Sequence, residues 1–128
     1  MCRVKSVLSS CVLALSLSPG VAMSAQDDLV STFATCTGRL SALMEHQWLM
    51  DTSRADDTRD RRARMVDLLE AVTPPGQGRA VLARRIEAKF ALAELLTRAS
   101  FGSDRDEAEQ AGALVEIHIA ACNGLLLG

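Results

Sequence analysis

Apolar residues recur every three or four positions through most of the chain after residue 28, the spacing that places them on one face of an α-helix. No stretch of the sequence keeps the strict alternation typical of a β-strand. The pattern predicts four helices: residues 28–50, residues 54–72, a third that ends near residue 100, and a fourth that begins near residue 103. We therefore expect an all-α fold.

Each predicted helix has an apolar face that should point into the core. These faces consist of Leu29, Phe33, Cys36, Leu40, Leu43 and Gln47 in the first helix, Met65, Leu68, Leu69 and Val72 in the second, Leu82, Ile86, Phe90, Ala93 and Leu96 in the third, and Ala111, Leu114, Val115, His118 and Cys122 in the fourth. Residues 56–64 are almost wholly charged, so we expect this half of the second helix to project from the core or to fray.

Short polar or Pro- and Gly-rich segments separate the predicted helices. Ser53 and Ser103 each precede an aspartate by three residues, a pattern typical of a helix start. Residues 73–78, Thr-Pro-Pro-Gly-Gln-Gly, form the strongest break; alternatively, Thr73 caps the third helix and Pro74 is its first residue. Helices of similar length with short connections predict an antiparallel up-down-up-down four-helix bundle.

The first 25 residues have the organisation of a secretory signal peptide. A positively charged start, an apolar run over residues 7–17 and a stretch of small residues ending at Ala25 follow one another. We predict cleavage after Ala25, with cleavage after Ser24 as an alternative. The domains are then a signal peptide, residues 1–25, and a helical bundle, residues 26–128.

Two other fates of the N-terminal segment are open: a retained membrane anchor, or lipidation at Cys11 after Leu8-Ser9-Ser10. The apolar run is short and interrupted for a membrane span, and it continues beyond Cys11, which does not suit a lipoprotein site. We therefore expect a periplasmic or secreted protein with no stable membrane span after cleavage.

Cleavage would change both the charge and the cysteine count. The whole chain has net charge −2 and four cysteines; without residues 1–25 the charge is −4 and only Cys36 and Cys122 remain. An acidic chain is a poor candidate for binding nucleic acid. Two cysteines in an exported protein predict one disulfide. In the predicted bundle, the start of the first helix and the end of the fourth lie at the same end, which would bring these two together.

Few residues carry candidate catalytic or cofactor chemistry. The sequence has no nucleophile-elbow, phosphate-loop or dinucleotide motif, so we expect a non-catalytic protein without a cofactor. An alternative is a carrier of b-type haem or a metal that uses Met44 and His118, since these side chains on antiparallel helices would lean toward each other. The low aromatic content, 3%, does not favour a porphyrin pocket.

Two apolar features are candidates for contact with a protein partner in the cell envelope. One is Trp48 at the end of the first helix, and the other is the C-terminal run Leu125, Leu126 and Leu127. Each also has a purely structural interpretation, in which Trp48 closes one end of the bundle and the leucines fold back over it. The identity of the partner and the oligomeric state are left open by the sequence.

Three segments form a recognisable set: TCTGRLSA at residues 35–42, EHQWL at residues 45–49 and CNGLL at residues 122–126. In these segments the chain resembles small exported helical proteins of alphaproteobacteria for which no activity is known. The resemblance implies an exported helical module, and it supplies no catalytic, cofactor or partner-binding residues.

Overall fold

The computed structural model describes residues 20–127 and contains four α-helices. They are α1 (Gly20–Met50), α2 (Thr52–Val72), α3 (Gly78–Phe101) and α4 (Arg105–Gly124). Within residues 20–127 there is no strand, so the predicted all-α four-helix bundle is confirmed. Residues 1–19, with most of the predicted signal peptide and with Cys11, lie outside the described residues. None of the described helices has the length and apolar character needed to span a membrane.

Aspartates cap two of the helices. The carboxylate of Asp51 accepts a hydrogen bond from the Ser53 backbone N–H at 3.2 Å, and that of Asp104 accepts one from the Glu107 N–H at 2.9 Å. The predicted starts at Ser53 and Ser103 were therefore wrong by one or two residues. A carboxylate there satisfies a free backbone donor and lies at the positive end of the helix dipole.

Thr73, the first residue of the turn between α2 and α3, is hydrogen-bonded to the end of α2. Thr73 follows the last residue of α2, and its hydroxyl donates to the Leu69 carbonyl oxygen at 2.6 Å. Gly76 has φ +87°, a left-handed conformation that glycine adopts without steric cost. Because α3 begins only at Gly78, the alternative in which Thr73 caps α3 is wrong.

Chain direction alternates through the bundle. Gly38 of α1 lies beside Ala88 of α3, and further along both helices His46 lies beside Ser100, so α1 and α3 are parallel. The Cys36–Cys122 bond joins α1 to the end of the antiparallel helix α4. α1 packs extensively against α2 and α3, and α3 packs against α4. Within the described part of the chain, α2 and α3 make at most minor contact with each other.

The core consists of three clusters of buried residues. Their members are Cys36, Leu40, Met65 and Cys122 in the first, Ala42, Leu92, Leu96 and Val115 in the second, and Val30, Ala34 and Leu69 in the third. The first cluster contains the disulfide, whose Cα atoms are 5.4 Å apart. The pairing predicted for the two cysteines is present in the structure.

Several predicted inward positions face solvent instead. These are Leu29, Leu68, Leu82, Ile86, Phe90 and Leu114. The largest difference is in α3, which buries Ala88, Leu92 and Leu96. That face packs on α1 beside Gly38, where only small side chains fit.

The charged half of α2 also differs from its prediction. Ala55 and Thr58 are fully buried, so residues 56–64 neither project from the bundle nor fray. Arg61 ties this segment to α4, because its guanidinium donates to the Asn123 side-chain oxygen at 3.1 Å. Ala55 and Thr58 are small and lie about one helical turn apart, so they form a narrow contact face. The number of charged residues in this segment does not reveal that face.

Candidate functional site

An exposed apolar stripe runs along α3. Its members are Leu82, Ile86 and Phe90, which are 54%, 46% and 67% exposed. Side chains four residues apart in a helix lie on nearly the same face, so the three form one continuous surface, here called the α3 stripe. A contiguous exposed apolar surface is typical of an interaction site.

The α3 stripe borders a groove between α2 and α3, here called the α2–α3 groove. Two adjoining cavities of about 180 and 420 Å³ share Leu82 and Arg85 and make up the groove. The walls of both cavities are formed by α2 and α3, and α1 forms the floor of the smaller one. The main lining residues are Gly38, Ser41, Met44 and Glu45 of α1, Arg62, Val66, Leu69 and Glu70 of α2, and Leu82, Arg85, Ile86 and Lys89 of α3.

The groove carries positive charge on both walls. Lys89 is paired with Glu45, with 2.7 Å between Nζ and the carboxylate oxygen. Arg62 donates from Nε to the Ser41 hydroxyl at 2.7 Å, a neutral partner that leaves the guanidinium charge uncompensated. The carboxylate of Glu45 therefore neutralises only one of the cations in this region.

Arg85, on the α3 wall, adds a second uncompensated cation. Among the ion pairs of residues 20–127, none includes Arg62 or Arg85. Glu70 is the other carboxylate of the groove. With Lys89 and Glu45 cancelling, two arginines face one carboxylate, so the groove is positive on a chain whose net charge is −2.

The residues predicted to contact a partner lie at two separate places. Trp48 is half-exposed near the end of α1, twelve residues beyond Cys36, which is about 18 Å along the helix axis. Leu126 packs against the cluster around the Cys36–Cys122 bond, whereas Leu127 is 87% exposed. Leu125, which precedes Leu126, is 39% exposed. Trp48 and the C-terminal leucines therefore do not form one surface.

Met44 and His118, the alternative haem or metal ligands, line different cavities. Met44 is buried on the floor of the α2–α3 groove, and His118 lines a cavity with Arg39 and Glu87. Partial burial and, to a lesser extent, the charge of Arg39 lower the pKa of His118. The described residues contain no group of three or more His, Cys, Asp or Glu side chains that could hold a metal ion. The placement does not favour a shared axial-ligand site.

The α3 stripe was not predicted as a surface, because its helical spacing placed these residues in the core. One signal was available: α3 also carries a second apolar series, Ala88, Leu92 and Leu96, on another face. A helix with two apolar faces has more apolar surface than one core contact buries.

Comparison with family models, with curated proteins and with solved structures gave no match. The resemblance to exported alphaproteobacterial proteins stays a prediction.

Proposed function

We propose that the protein is a non-catalytic, exported binding module whose α2–α3 groove binds an acidic amphipathic helix of a protein partner in the cell envelope. The observation that carries this proposal is the exposed α3 stripe beside a groove of positive charge. The partner surfaces that the sequence suggested, Trp48 and the C-terminal leucines, lie apart from each other and are not among the residues that line the groove.

The shape of the groove supports a helical occupant. Two helices form its walls and a third forms its floor, the arrangement in which an amphipathic helix can place its apolar face. The α3 stripe repeats every fourth residue, which matches the repeat of side chains on a partner helix. Fully burying a large apolar side chain contributes about 1.5–3 kcal/mol, and these three are about half exposed, so each can add roughly half of that to a binding free energy.

The charge of the groove supports an acidic occupant. Arg62 and Arg85 lie on opposite walls, where carboxylates flanking the apolar face of a bound helix could reach them. Complementary charge raises the association rate and fixes the orientation of a partner. The rest of the chain is net negative and would repel the same partner, which confines attraction to the groove.

Export is supported by the N-terminal sequence and the disulfide. Disulfides persist in oxidising compartments, and the bond joins the only two cysteines that would remain after cleavage at Ala25. We expect protein recovered from the exported fraction to begin at Gln26 and to have the mass of the oxidised chain. An intact mass that includes residues 1–25 would contradict export by cleavage.

The binding claim is tested with three synthetic peptides. One is an amphipathic helix with a leucine face and glutamate flanks, one has lysine in place of glutamate, and one has the first composition in scrambled order. By fluorescence anisotropy at low salt, we expect the oxidised protein to bind the acidic helix about tenfold or more tightly than either control. Arg85→Glu should lower this preference for the acidic peptide over the lysine peptide. Equal affinity for all three peptides, or binding of none, would contradict the proposal.

A matched pair of variants locates the binding surface. Ile86, in the groove, and Ile117, on α4, are both exposed isoleucines, 46% and 63% respectively. Glutamine at either position keeps good helix propensity, so the fold should be retained. We expect Ile86→Gln to weaken binding of the acidic peptide about tenfold and Ile117→Gln to leave it unchanged. The same loss in both variants would show that the α3 stripe is not the contact surface.

A further inference from the structure

Another cavity, here called the α1–α4 cavity, lies where the second half of α1 meets α4 and the end of α3. Its volume is about 490 Å³, within the range of about 300–1,000 Å³ typical of small-molecule sites. Much of its lining is apolar and includes Leu43, Met50, Leu96, Val115 and Ile119. It shares no lining residue with the α2–α3 groove, so what it binds is independent of the function proposed above.

Gln47 is the polar group that distinguishes this cavity. Its side chain lines the cavity, the residue is only 5% exposed, and its Oε1 has no hydrogen-bond partner among the described residues. A buried amide oxygen without a partner costs about 1–3 kcal/mol. Because Oε1 itself has almost no exposed surface, a ligand in the cavity would recover that free energy by bonding to the amide after it turns about its terminal torsion.

Two other polar side chains of the cavity already have partners. His46 Nε2 lies 3.1 Å from the Ser100 hydroxyl, and the Asn123 side-chain oxygen accepts from Arg61 at 3.1 Å. The charged lining residues Asp51, Arg54 and Glu116 are exposed and of both signs. Gln47 is therefore the group most in need of a partner from a ligand.

We propose that the α1–α4 cavity binds a neutral, apolar molecule with one hydroxyl group, and that this hydroxyl forms a hydrogen bond with the Gln47 side-chain amide. A hydroxyl donates and accepts, so it suits either orientation of the amide about its broad terminal torsion. An ionised head group would lose its hydration in an apolar cavity beside a neutral amide. Asp51, Glu116 and Arg54 all lie at the exposed part of the lining, so an ionised head group of either sign would meet a like charge as well as an opposite one.

The test uses four small probes on the oxidised protein: hexanol, heptane with the same number of non-hydrogen atoms, hexanoate and hexylamine. Affinities are measured by NMR titration, which also follows the Gln47 side-chain amide. We expect hexanol to bind with a shift of that amide and to bind more tightly than hexanoate or hexylamine. No binding of hexanol, or equal binding of the ionised probes, would overturn the proposal.

Gln47→Leu tests the hydrogen bond itself. We compare the ratio of hexanol affinity to heptane affinity between the wild-type protein and the variant. A general effect of the substitution on apolar binding changes both affinities alike and cancels in this ratio. We expect this ratio to fall about tenfold in Gln47→Leu. An unchanged ratio would overturn the assignment of the hydroxyl to Gln47.

A second pair of variants is independent of whether Gln47→Leu folds. Ala120 lines the cavity, and its neighbour Ala121 does not; both are exposed on α4. Ala120→Trp should fill part of the cavity and weaken hexanol binding about tenfold or more, whereas Ala121→Trp should leave it intact. Unchanged binding in Ala120→Trp, or the same loss in both variants, would place the alcohol elsewhere and contradict the proposal.

Discussion

At Gly38, α1 and α3 approach closely enough to exclude a side chain. A Cβ at this position would overlap the Arg85 carbonyl oxygen and lie 3.1 Å from the Ala88 Cβ. Glycine lowers the stability of a helix interior by roughly 1 kcal/mol relative to alanine. Its presence here is explained by the helix contact that it permits.

We expect Gly38→Ala to lower the free energy of unfolding by about 1–3 kcal/mol, because the obstruction is backbone that must shift. Gly112 on α4 is the matched control: a Cβ there would meet only the Ala99 Cβ, at 3.9 Å. Gly112→Ala should be neutral or stabilising by up to about 1 kcal/mol. Urea unfolding of the oxidised proteins measures both changes, and destabilisation of similar size in the two would contradict a specific contact at Gly38.

Residues differ in how far the sequence determines their roles. Cys36 and Cys122 were predictable as a pair, because the predicted export leaves only these two and the alternating topology brings them together. The caps were not, because Asp51 and Asp104 lie beside other good cap formers. The choice between neighbouring cap residues depends on the exact residue at which each helix starts, which periodicity does not define.

At the scale of elements, periodicity predicted the four helices but not the start of α1, which lies eight residues before the predicted residue 28, and not the rotation of α3. This helix has two apolar faces, one with Ile86 and one with Leu92, roughly a third of a turn apart. The face with small Ala88 packs at Gly38, and this contact between distant residues decides which face is buried. A pattern within one helix cannot contain that information.

The disulfide should contribute much of the stability of the α1–α4 contact. It closes a sequence separation of 86 residues, and α1 packs less extensively on α4 than on α2 or α3. We expect Cys36→Ser/Cys122→Ser to lose about 4–5 kcal/mol of unfolding free energy in the chain-entropy description. Equilibrium urea unfolding measures the loss, with reduced wild-type protein as the control that should behave alike. A loss below about 1 kcal/mol would contradict this role.

At the scale of the whole molecule, the direct packing of α1 on α3 creates the groove. Up-down-up-down topology specifies chain direction, but it does not specify which parallel pair of helices lies in contact. Here α1 and α3 touch, so α2 and α3 stand on either side of α1 with the α2–α3 groove between them. The groove could not be predicted from the sequence, because it follows from this packing choice.

The same packing also makes the α2–α3 groove positive, which the net negative charge of the chain does not suggest. The chain is net negative, yet Arg62 and Arg85 converge on the groove without a carboxylate partner in the described residues. Gly38 connects these scales: its missing side chain allows the α1–α3 contact, and the residue itself lies on the groove floor. A change at Gly38 should therefore affect both stability and binding.

The most direct test of the proposed function is an NMR titration of the isotope-labelled, oxidised protein with the acidic amphipathic peptide. We expect saturable chemical-shift changes that are largest at residues 62–70 of α2 and residues 82–90 of α3, and small changes near Trp48. Shift changes centred instead on Trp48 or on residues 125–127, or no saturable changes at all, would contradict binding in the α2–α3 groove.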